Sequence, residues 1–377
     1  MSGRDHARDF AVSLPQHPQY RRRRLAVVRW YISLCYASIG MGNNVENALI
    51  AVISVLTAST STITVSAVDA STVDAGQSGV PAWVFPLNVA ATASPPAYDD
   101  RKPLRVPNSN VTFTEAQLND LFDAPDWRPT SHGAMPSIVS RGRPPDVYAC
   151  GYCHTAGGQG RPENASLAGL PAAYIISQVA DFKSGARKSA WRGLYRPADR
   201  MIHAVTHATT DEISAAADYF AAQSLRPRVD VVERARVPRS DVIGWVYVAE
   251  RSGGYEPLGE RLLEFAPDAI RHENRDDEMR YIAYVPPGSI DRGKHIAQAG
   301  ADSPANACTS CHGPKLCGVG LIPPIAGRSP TYILRQLLAF QTGARSGATG
   351  LPMRAVVKDL KIRRMIDVAA YAASLPP

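Results

Sequence analysis

The chain has 377 residues, of which 45% are hydrophobic and 20% charged, so it can bury a sizeable core and is not disordered as a whole. This length predicts two or three domains. The formal charge is +7, but beyond residue 70 the sequence holds 34 basic and 30 acidic residues, a balance that does not support nucleic-acid binding.

The amino terminus has the layout of an export signal. A block of arginines at 21–24 precedes two apolar stretches at 25–41 and 48–68, and small residues between 66 and 75 offer cleavage ends. An uncleaved anchor stays open, because the second stretch is just long enough to span a bilayer. We predict an export region over residues 1–75, cleaved rather than retained, and a periplasmic location.

An internal repeat organises the rest of the chain. A shift of 158 residues superposes Cys150 on Cys308 and His154 on His312 without a gap. The same shift superposes three residue pairs and one tripeptide: Tyr174 on Tyr332, Gln178 on Gln336, Phe182 on Phe340, and Gly185-Ala186-Arg187 on Gly343-Ala344-Arg345. The sequence therefore contains two copies of one domain.

The copies define the predicted domains. A proline-rich arm at 76–110 precedes the first copy at 111–225, and a connector at 226–285 separates it from the second copy at 286–377. Apolar residues recur at helical spacing in both copies. The connector contains "VDVVERARV", "GWVYVAE" and "MRYIAYV", which read as strands. We predict a mainly α protein with a small β-containing connector.

Several helix ends are readable in the copies. Gly185 and Gly343 lie where each central helix should end. Thr210, followed by two acidic residues, predicts a capped start for a closing helix. We expect the closing helices to run over 210–223 and 362–375.

Each copy carries two cysteines three positions apart with a histidine directly after them, "CGYCH" at 150–154 and "CTSCH" at 308–312. This C-x-x-C-H spacing is typical of covalent haem attachment, in which both sulfurs bond the porphyrin and the next imidazole binds the iron. Zinc binding, which needs four ligands per ion, and dithiol chemistry are weaker alternatives. The predicted attachment residues are Cys150, Cys153, Cys308 and Cys311, and the predicted iron ligands are His154 and His312.

On these residues the chain resembles the class I c-type cytochromes, and more closely the two-domain periplasmic cytochromes c of the c-four and c-553 kind. The resemblance covers roughly residues 135–225 and 286–377. It rests on the two CxxCH motifs, on "AGLPAAYIISQVADFKSGAR" and "AGRSPTYILRQLLAFQTGAR", and on the closing helices. It implies two tandem class I cytochrome c domains that hold two covalently attached haems c.

In that family a methionine late in each domain supplies the second axial iron ligand, and by position these are Met201 and Met353. A shift of 152 residues superposes the two methionines independently of the resemblance. Met365 falls inside a helix and is expected to fill the core. In the first copy His203 and His207 stay open as alternative ligands, which would lower the reduction potential.

The resemblance also implies a backbone carbonyl that accepts a hydrogen bond from each haem histidine, at Ala165 in the first copy and Pro323 in the second. It further implies close contact between a glycine of the first helix and an aromatic residue of the last. The candidate pairs are Gly142 with Tyr219 and Gly293 with Tyr371. Cys317 has no counterpart in the repeat and is expected to be a small buried residue.

An iron held by histidine and methionine has no open position for a substrate, so it can only pass electrons. The sequence therefore predicts a one-electron carrier, not an enzyme, between a dehydrogenase or quinol oxidiser and an oxidase or other cytochrome. Two alternatives stay open: a haem enzyme, such as a two-haem peroxidase or a sulfur-compound dehydrogenase, and a permanent cytochrome subunit of a dehydrogenase complex. Membrane association through the N-terminal apolar segment also stays open.

Overall fold

The computed structural model of the chain describes residues 79–87, 102–301, 303 and 306–377. The predicted export region at 1–75 lies outside the described residues. Within the described residues, no helix is both long enough and apolar enough to cross a membrane. Helices dominate the two repeat copies, which confirms the predicted mainly α fold.

The first copy contains short helices around its CxxCH motif and longer helices after it. In chain order they are α1 (Glu115–Asn119), α2 (Ser137–Ser140), α3 (Cys150–His154), α4 (Ala172–Lys183), α5 (Arg196–His207) and α6 (Thr210–Ala221). Gly185 adopts a left-handed φ of 75° directly after α4, as expected for a helix stop. The N-cap of α6 is Thr209 rather than Thr210, because Thr209 and Glu212 form a reciprocal capping box.

The connector folds mainly as β-structure. Its elements are β1 (Val229–Glu233), β2 (Arg236–Pro238), β3 (Ser240–Ile243), β4 (Val246–Ala249), β5 (Tyr255–Pro257), β6 (Leu263–Phe265), α7 (Ala269–Glu273) and β7 (Tyr281–Val285). Five strands form one sheet in the order β1-β7-β6-β4-β3, in which β1 runs parallel to β7. The strands β2 and β5 form a separate antiparallel pair. Side chains of β7 alternate between buried and half-buried, as the period of a strand requires.

The second copy follows the connector directly. Its helices are α8 (Ser289–Ala299), α9 (Cys308–His312), α10 (Pro330–Gln341), α11 (Leu351–Val357) and α12 (Ile362–Ser374). The Ser329 side chain caps α10 by accepting a hydrogen bond from the Tyr332 amide, and Pro330 occupies the first helical position. Gly343, with a φ of 78°, follows its last turn.

The helices α8 and α12 approach closely at Gly293. A Cβ atom on Gly293 would overlap the backbone carbonyl of Asp367 and would lie 2.9 Å from the Cβ of Tyr371. The predicted contact between Gly293 and Tyr371 is therefore confirmed. Since Tyr371 is also buried in the core of the second copy, this contact fixes how the first and last helices of that copy cross.

The first copy lacks the equivalent contact. Gly142 packs against the backbone of Val147 to Ala149 instead of Tyr219, so the predicted pair Gly142–Tyr219 is wrong. The physical reason is that α2 has four residues and ends before Gly142, and the chain then meets Pro144 and Pro145, which cannot continue a helix.

Replacing Gly293 by alanine is expected to lower the free energy of unfolding by about 3 kcal/mol, because the added methyl group collides with the backbone rather than with a flexible side chain. Guanidinium chloride unfolding of the haem-loaded protein measures the change. The matched control is Gly133→Ala, where a Cβ meets nothing within 4 Å and the expected change is below about 0.5 kcal/mol. Equal stabilities for the two variants would contradict the close approach of α8 and α12.

Part of the arm belongs to the core of the second copy. Val80, Val84 and Phe85 are buried against side chains that include Leu334 of α10. Arg335, one residue further on, donates a hydrogen bond to the Val84 carbonyl. The segment 79–87 therefore closes one side of the second copy.

Candidate functional site

Each CxxCH motif forms a five-residue helix. Both helices, α3 and α9, begin at the first cysteine of the motif directly after a buried alanine, Ala149 in one copy and Ala307 in the other. In a helix, side chains three or four residues apart share a face. The two sulfurs and the histidine of each motif therefore point to the same side of their helix, where one planar group can contact all three.

The motif cysteines are not disulfide-bonded, and the first cysteine of each motif is not an activated thiol. All four motif cysteines are free thiols. Burial raises the pKa of the Cys150 thiol to about 12 and that of Cys308 to about 11. Thiols with such pKa values stay protonated at neutral pH, which does not favour dithiol exchange. Among the described residues, no group of three or more His, Cys, Asp and Glu side chains is placed to hold a metal ion, as a zinc site would require.

Both motif histidines are oriented by a backbone carbonyl. The Nδ1–H of His154 donates to the Ala165 carbonyl at 2.8 Å, and the Nδ1–H of His312 donates to the Pro323 carbonyl at 2.9 Å. These are the two acceptors that the sequence predicted, and both are confirmed. Burial also lowers the pKa of each imidazole. Each histidine is thus neutral at neutral pH and presents the lone pair of Nε2, the form that binds a metal.

The predicted methionine ligands lie on helices. Met353 is half-buried on α11 and packs against the same core cluster as Cys308. Met201 is half-buried in the middle of α5. Met365 is fully buried in α12, which confirms its predicted role in the core. Iron ligation by Met201 and Met353 stays a prediction.

Met135 is a second methionine that lies close to the core of the first copy. This side chain packs, as does Cys150, against the core cluster of the first copy. Unlike Met201, it has no methionine at the corresponding position of the second copy. It is therefore a rival to Met201 in the first copy.

The two open histidine alternatives lie at the surface of α5. His203 is exposed and stacks on Tyr148 with the ring centroids 5.1 Å apart, and His207 is exposed beside it. Cys317 is exposed as well, so its predicted burial is wrong. It lies in a surface loop after α9, and its thiol reaches the carbonyl of Lys315.

A symmetric cluster joins the two copies. Arg187 donates to the Gln178 side chain of its own copy and to the Gln336 and Tyr332 side chains of the other copy, each at 2.9 Å. Arg345 mirrors it, donating to Gln336 at 3.2 Å and across the interface to Gln178 and Tyr174. Backbone hydrogen bonds accompany the side chains: the Lys188 amide donates to the Ala344 carbonyl, and the Ser346 amide to the Ala186 carbonyl.

The two arginines of this cluster are buried without a counter-charge. Arg187 and Arg345 are each 7% exposed, and no carboxylate of the described residues forms an ion pair with either. Burial, followed by the charge of Arg187, lowers the pKa of Arg345. Two buried like charges are costly unless anions compensate them. Sequence reasoning missed this pair, although the signal was present in the superposed Gly-Ala-Arg tripeptides.

The residues present fit haem c. Each motif offers two thiols and a neutral imidazole on one helix face, which matches two thioether bonds and one axial ligand. The pair of unbalanced guanidinium groups fits a cofactor that carries carboxylates. Haem c has both features, since its porphyrin edge takes up thiols and it bears two propionates.

Comparison with known proteins agrees with this fit. No family model matches the chain. Cytochrome c-554(548) of Halomonas halodenitrificans is 33% identical over 79 residues, which are 21% of this chain and 94% of that protein. The thiosulfate dehydrogenase electron acceptor of Thiomonas intermedia is 28% identical over 237 residues, 62% of this chain and 81% of that protein. Cytochrome c4 of Azotobacter vinelandii is 22% identical over 249 residues, 65% and 91% of the two chains.

Cytochrome c-554(548) is matched over 94% of its length, at an identity of 33% that indicates common descent. Longer relatives, including a cytochrome c4, are matched over 237 and 249 residues, more than either repeat copy contains alone. The chain therefore belongs to the class I c-type cytochromes, as a two-domain member that binds two haems c covalently and carries electrons.

Proposed function

We propose that the chain is an exported periplasmic one-electron carrier without a catalytic site of its own. The observation that carries this proposal is the repetition of the histidine environment: each copy ends its cysteine helix with a buried, neutral imidazole bonded to a carbonyl eleven residues on. An enzyme would need one copy to differ by exposing an open iron position. The basic block and apolar stretches before residue 75 support export.

We propose the same ligand set for each copy, within domains at 111–225 and 286–377. Cys150 and Cys153, and Cys308 and Cys311, would hold the two haems through thioether bonds, and His154 with Met201 and His312 with Met353 would be the iron ligands. When bound, haem c supplies a ferric/ferrous couple that exchanges one electron. With these side chains as ligands the iron would have no position open to a substrate, and the carbonyl of Ala165 or Pro323 keeps each imidazole in one orientation.

Redox partners follow from the relatives. The name of the Thiomonas relative states that it accepts electrons from a thiosulfate dehydrogenase. By similarity, the electron donor proposed for this chain is a dehydrogenase, and the electron acceptor is an oxidase or another cytochrome. The relatives are named as carriers and acceptors, which does not favour a sulfur-compound dehydrogenase activity in this chain.

Spectroscopy of the purified haem-loaded protein tests the proposal. We expect two haems per chain, a far-red methionine–iron band from both ferric haems, and a ferrous spectrum that carbon monoxide does not change. Peroxide should not be consumed faster in the presence of the protein than in buffer alone. A high-spin ferric haem in the resting protein, or rapid binding of carbon monoxide to one haem, would overturn the carrier assignment in favour of a haem enzyme.

A further inference from the structure

The loops that follow the two CxxCH helices differ sharply in exposure. All nine residues of the first loop, 155–163, are buried. The superposed loop of the second copy, 313–321, is largely exposed, with Val319 58% and Leu321 68% accessible. Because the repeat relates the two loops residue by residue, the difference comes from what packs on them.

The connector and the second copy close the first loop. Gln159 is held on both sides, since its side chain donates to the Ser224 carbonyl and accepts from the Arg226 amide. Arg161 pairs with Glu163 and also donates to the buried His272 of α7. These bonds leave no surface at the first loop for a second protein.

The first cysteine helix is covered as well. The guanidinium group of Arg275, from the connector, lies 3.7 Å from the ring centroid of Tyr152 and donates to its hydroxyl group. Tyr152 is 3% exposed. On the other side Gly151 touches Val139 and Ala124, where a Cβ would already be too close. The side of the first cysteine helix that carries Gly151 and Tyr152 is therefore covered by protein, and Cys153 is half-buried where its counterpart Cys311 is exposed.

The second cysteine helix faces solvent. Ser310 and Cys311 are exposed, and of the five residues of α9 only His312 is buried. An open groove of about 360 Å³ runs beside the helix, lined by Gln298, Ala307, Thr309, Ser310 and Pro314. Because Cys311 is exposed, a porphyrin bonded to it would have its bonded edge at this surface. Two large apolar side chains of the loop that follows this helix, Val319 and Leu321, are exposed.

The two copies also differ in net charge, and the copy with the exposed loop is the basic one. The second copy has eleven Lys and Arg residues against four Asp and Glu, whereas the first has ten against eleven. Lys315 lies in the open loop, is exposed, and forms no ion pair with a described residue. A strongly basic domain attracts acidic proteins and orients their approach.

We propose that the open loop face, defined as Ser310, Cys311, Lys315, Val319 and Leu321, docks an acidic redox protein, and that the first copy exchanges electrons with partners through the second. This rests on the proposed carrier function. Apolar contact at Val319 and Leu321 would exclude water at the porphyrin edge, while Lys315 and the basic field supply attraction. One electron crosses per encounter: the donor iron goes from ferrous to ferric, the acceptor is reduced by one electron, and no proton is transferred.

The test uses plastocyanin, an acidic type 1 copper protein, as the oxidised probe, whose cupric ion becomes cuprous. Stopped-flow mixing with the ferrous protein gives the second-order rate constant. At about 10 mM ionic strength, Lys315→Glu and Leu321→Asp are expected to lower it roughly fivefold to tenfold, and added salt should slow the wild type. The matched controls are Lys102→Glu, also exposed, and Ile270→Asp, whose side chain is 72% exposed on the connector. Both should leave the rate constant within about twofold of the wild type.

A second readout does not depend on electron transfer. Acetylation of Lys315, measured by mass spectrometry, should be fast in the free ferrous protein and slower when cuprous plastocyanin is added, while Lys102 shows no change. A Lys315 that resists acetylation in the free protein would mean that another part of the chain or a second copy already covers the face, which overturns the proposal. Loop variants that match the controls in a protein with the six-coordinate spectrum would leave the carrier function standing and refute the docking face.

Discussion

Replacing Met353 by leucine is expected to remove half of the far-red methionine–iron absorption of the ferric protein and to lower the reduction potential of one haem by about 0.2 V, within the roughly 0.8 V range that axial ligands control. The thioether of methionine stabilises the ferrous iron, and leucine fills the same volume without a donor atom. Met201→Leu should remove the other half, and the double variant should lose the band. Absorption spectroscopy with potentiometric titration measures both effects.

Two further methionines serve as controls. Met365 is fully buried in α12, and Met135 packs on the core of the first copy. Met365→Leu and Met135→Leu are expected to keep the whole band and to cost less than about 1.5 kcal/mol of stability, as volume-conserving changes do. Loss of the band in Met135→Leu together with its retention in Met201→Leu would move the first axial ligand from α5 to Met135.

Replacing Arg187 by glutamine is expected to lower the free energy of unfolding of the haem-loaded protein by about 3–5 kcal/mol, because the change removes three hydrogen bonds that bridge both copies and leaves a haem carboxylate without its counter-charge. Arg345→Gln should behave in the same way. If the guanidinium groups compensate haem propionates, each variant also loses a positive charge near the haem. That loss favours the ferric form, so the reduction potential should fall.

The variant Arg187→Lys separates the effect of the positive charge from the effect of the hydrogen bonds. Arg187→Lys keeps the positive charge but cannot reach Gln178, Tyr332 and Gln336 together, since an ammonium group lacks the planar fork of a guanidinium. We expect the potential to stay close to the wild type while the stability falls. Chemical unfolding and potentiometry on the same samples distinguish the two effects. An unchanged potential in Arg187→Gln would show that the arginine does not face a haem carboxylate.

The repeat carried most of what the sequence could predict. Its period located both haem-binding helices. The resemblance to the class I cytochromes implied both carbonyl acceptors, and each lies eleven positions beyond its histidine whether the residue is Ala165 or Pro323. The contact of Gly293 with Tyr371 was likewise implied by the resemblance. Backbone groups and close helix contacts survive changes of side chain, so a pattern based on spacing finds them.

The errors arose where the copies diverge or where packing decides. The Gly142 prediction assumed a long first helix, but α2 ends at Ser140 and two prolines follow. The burial of Cys317 was inferred from its residue type, whereas its loop lies open because the connector covers the opposite copy. The pairing of Arg187 with Arg345 required the orientation of two domains, which no local pattern encodes.

The second copy also donates hydrogen bonds directly to the segment of the first copy that follows its cysteine helix. Arg328 donates to the carbonyls of Ser166 and Ala168, and Arg335 donates to the carbonyl of Pro162. The connector adds a bond from Arg228 to the Gly160 carbonyl. These four hydrogen bonds fix the segment 160–168, which follows the first cysteine helix, to the second copy and the connector. Two haems bound to the two cysteine helices would therefore be held at a set separation, so that an electron would pass between them by tunnelling without a preceding hinge motion or diffusional search.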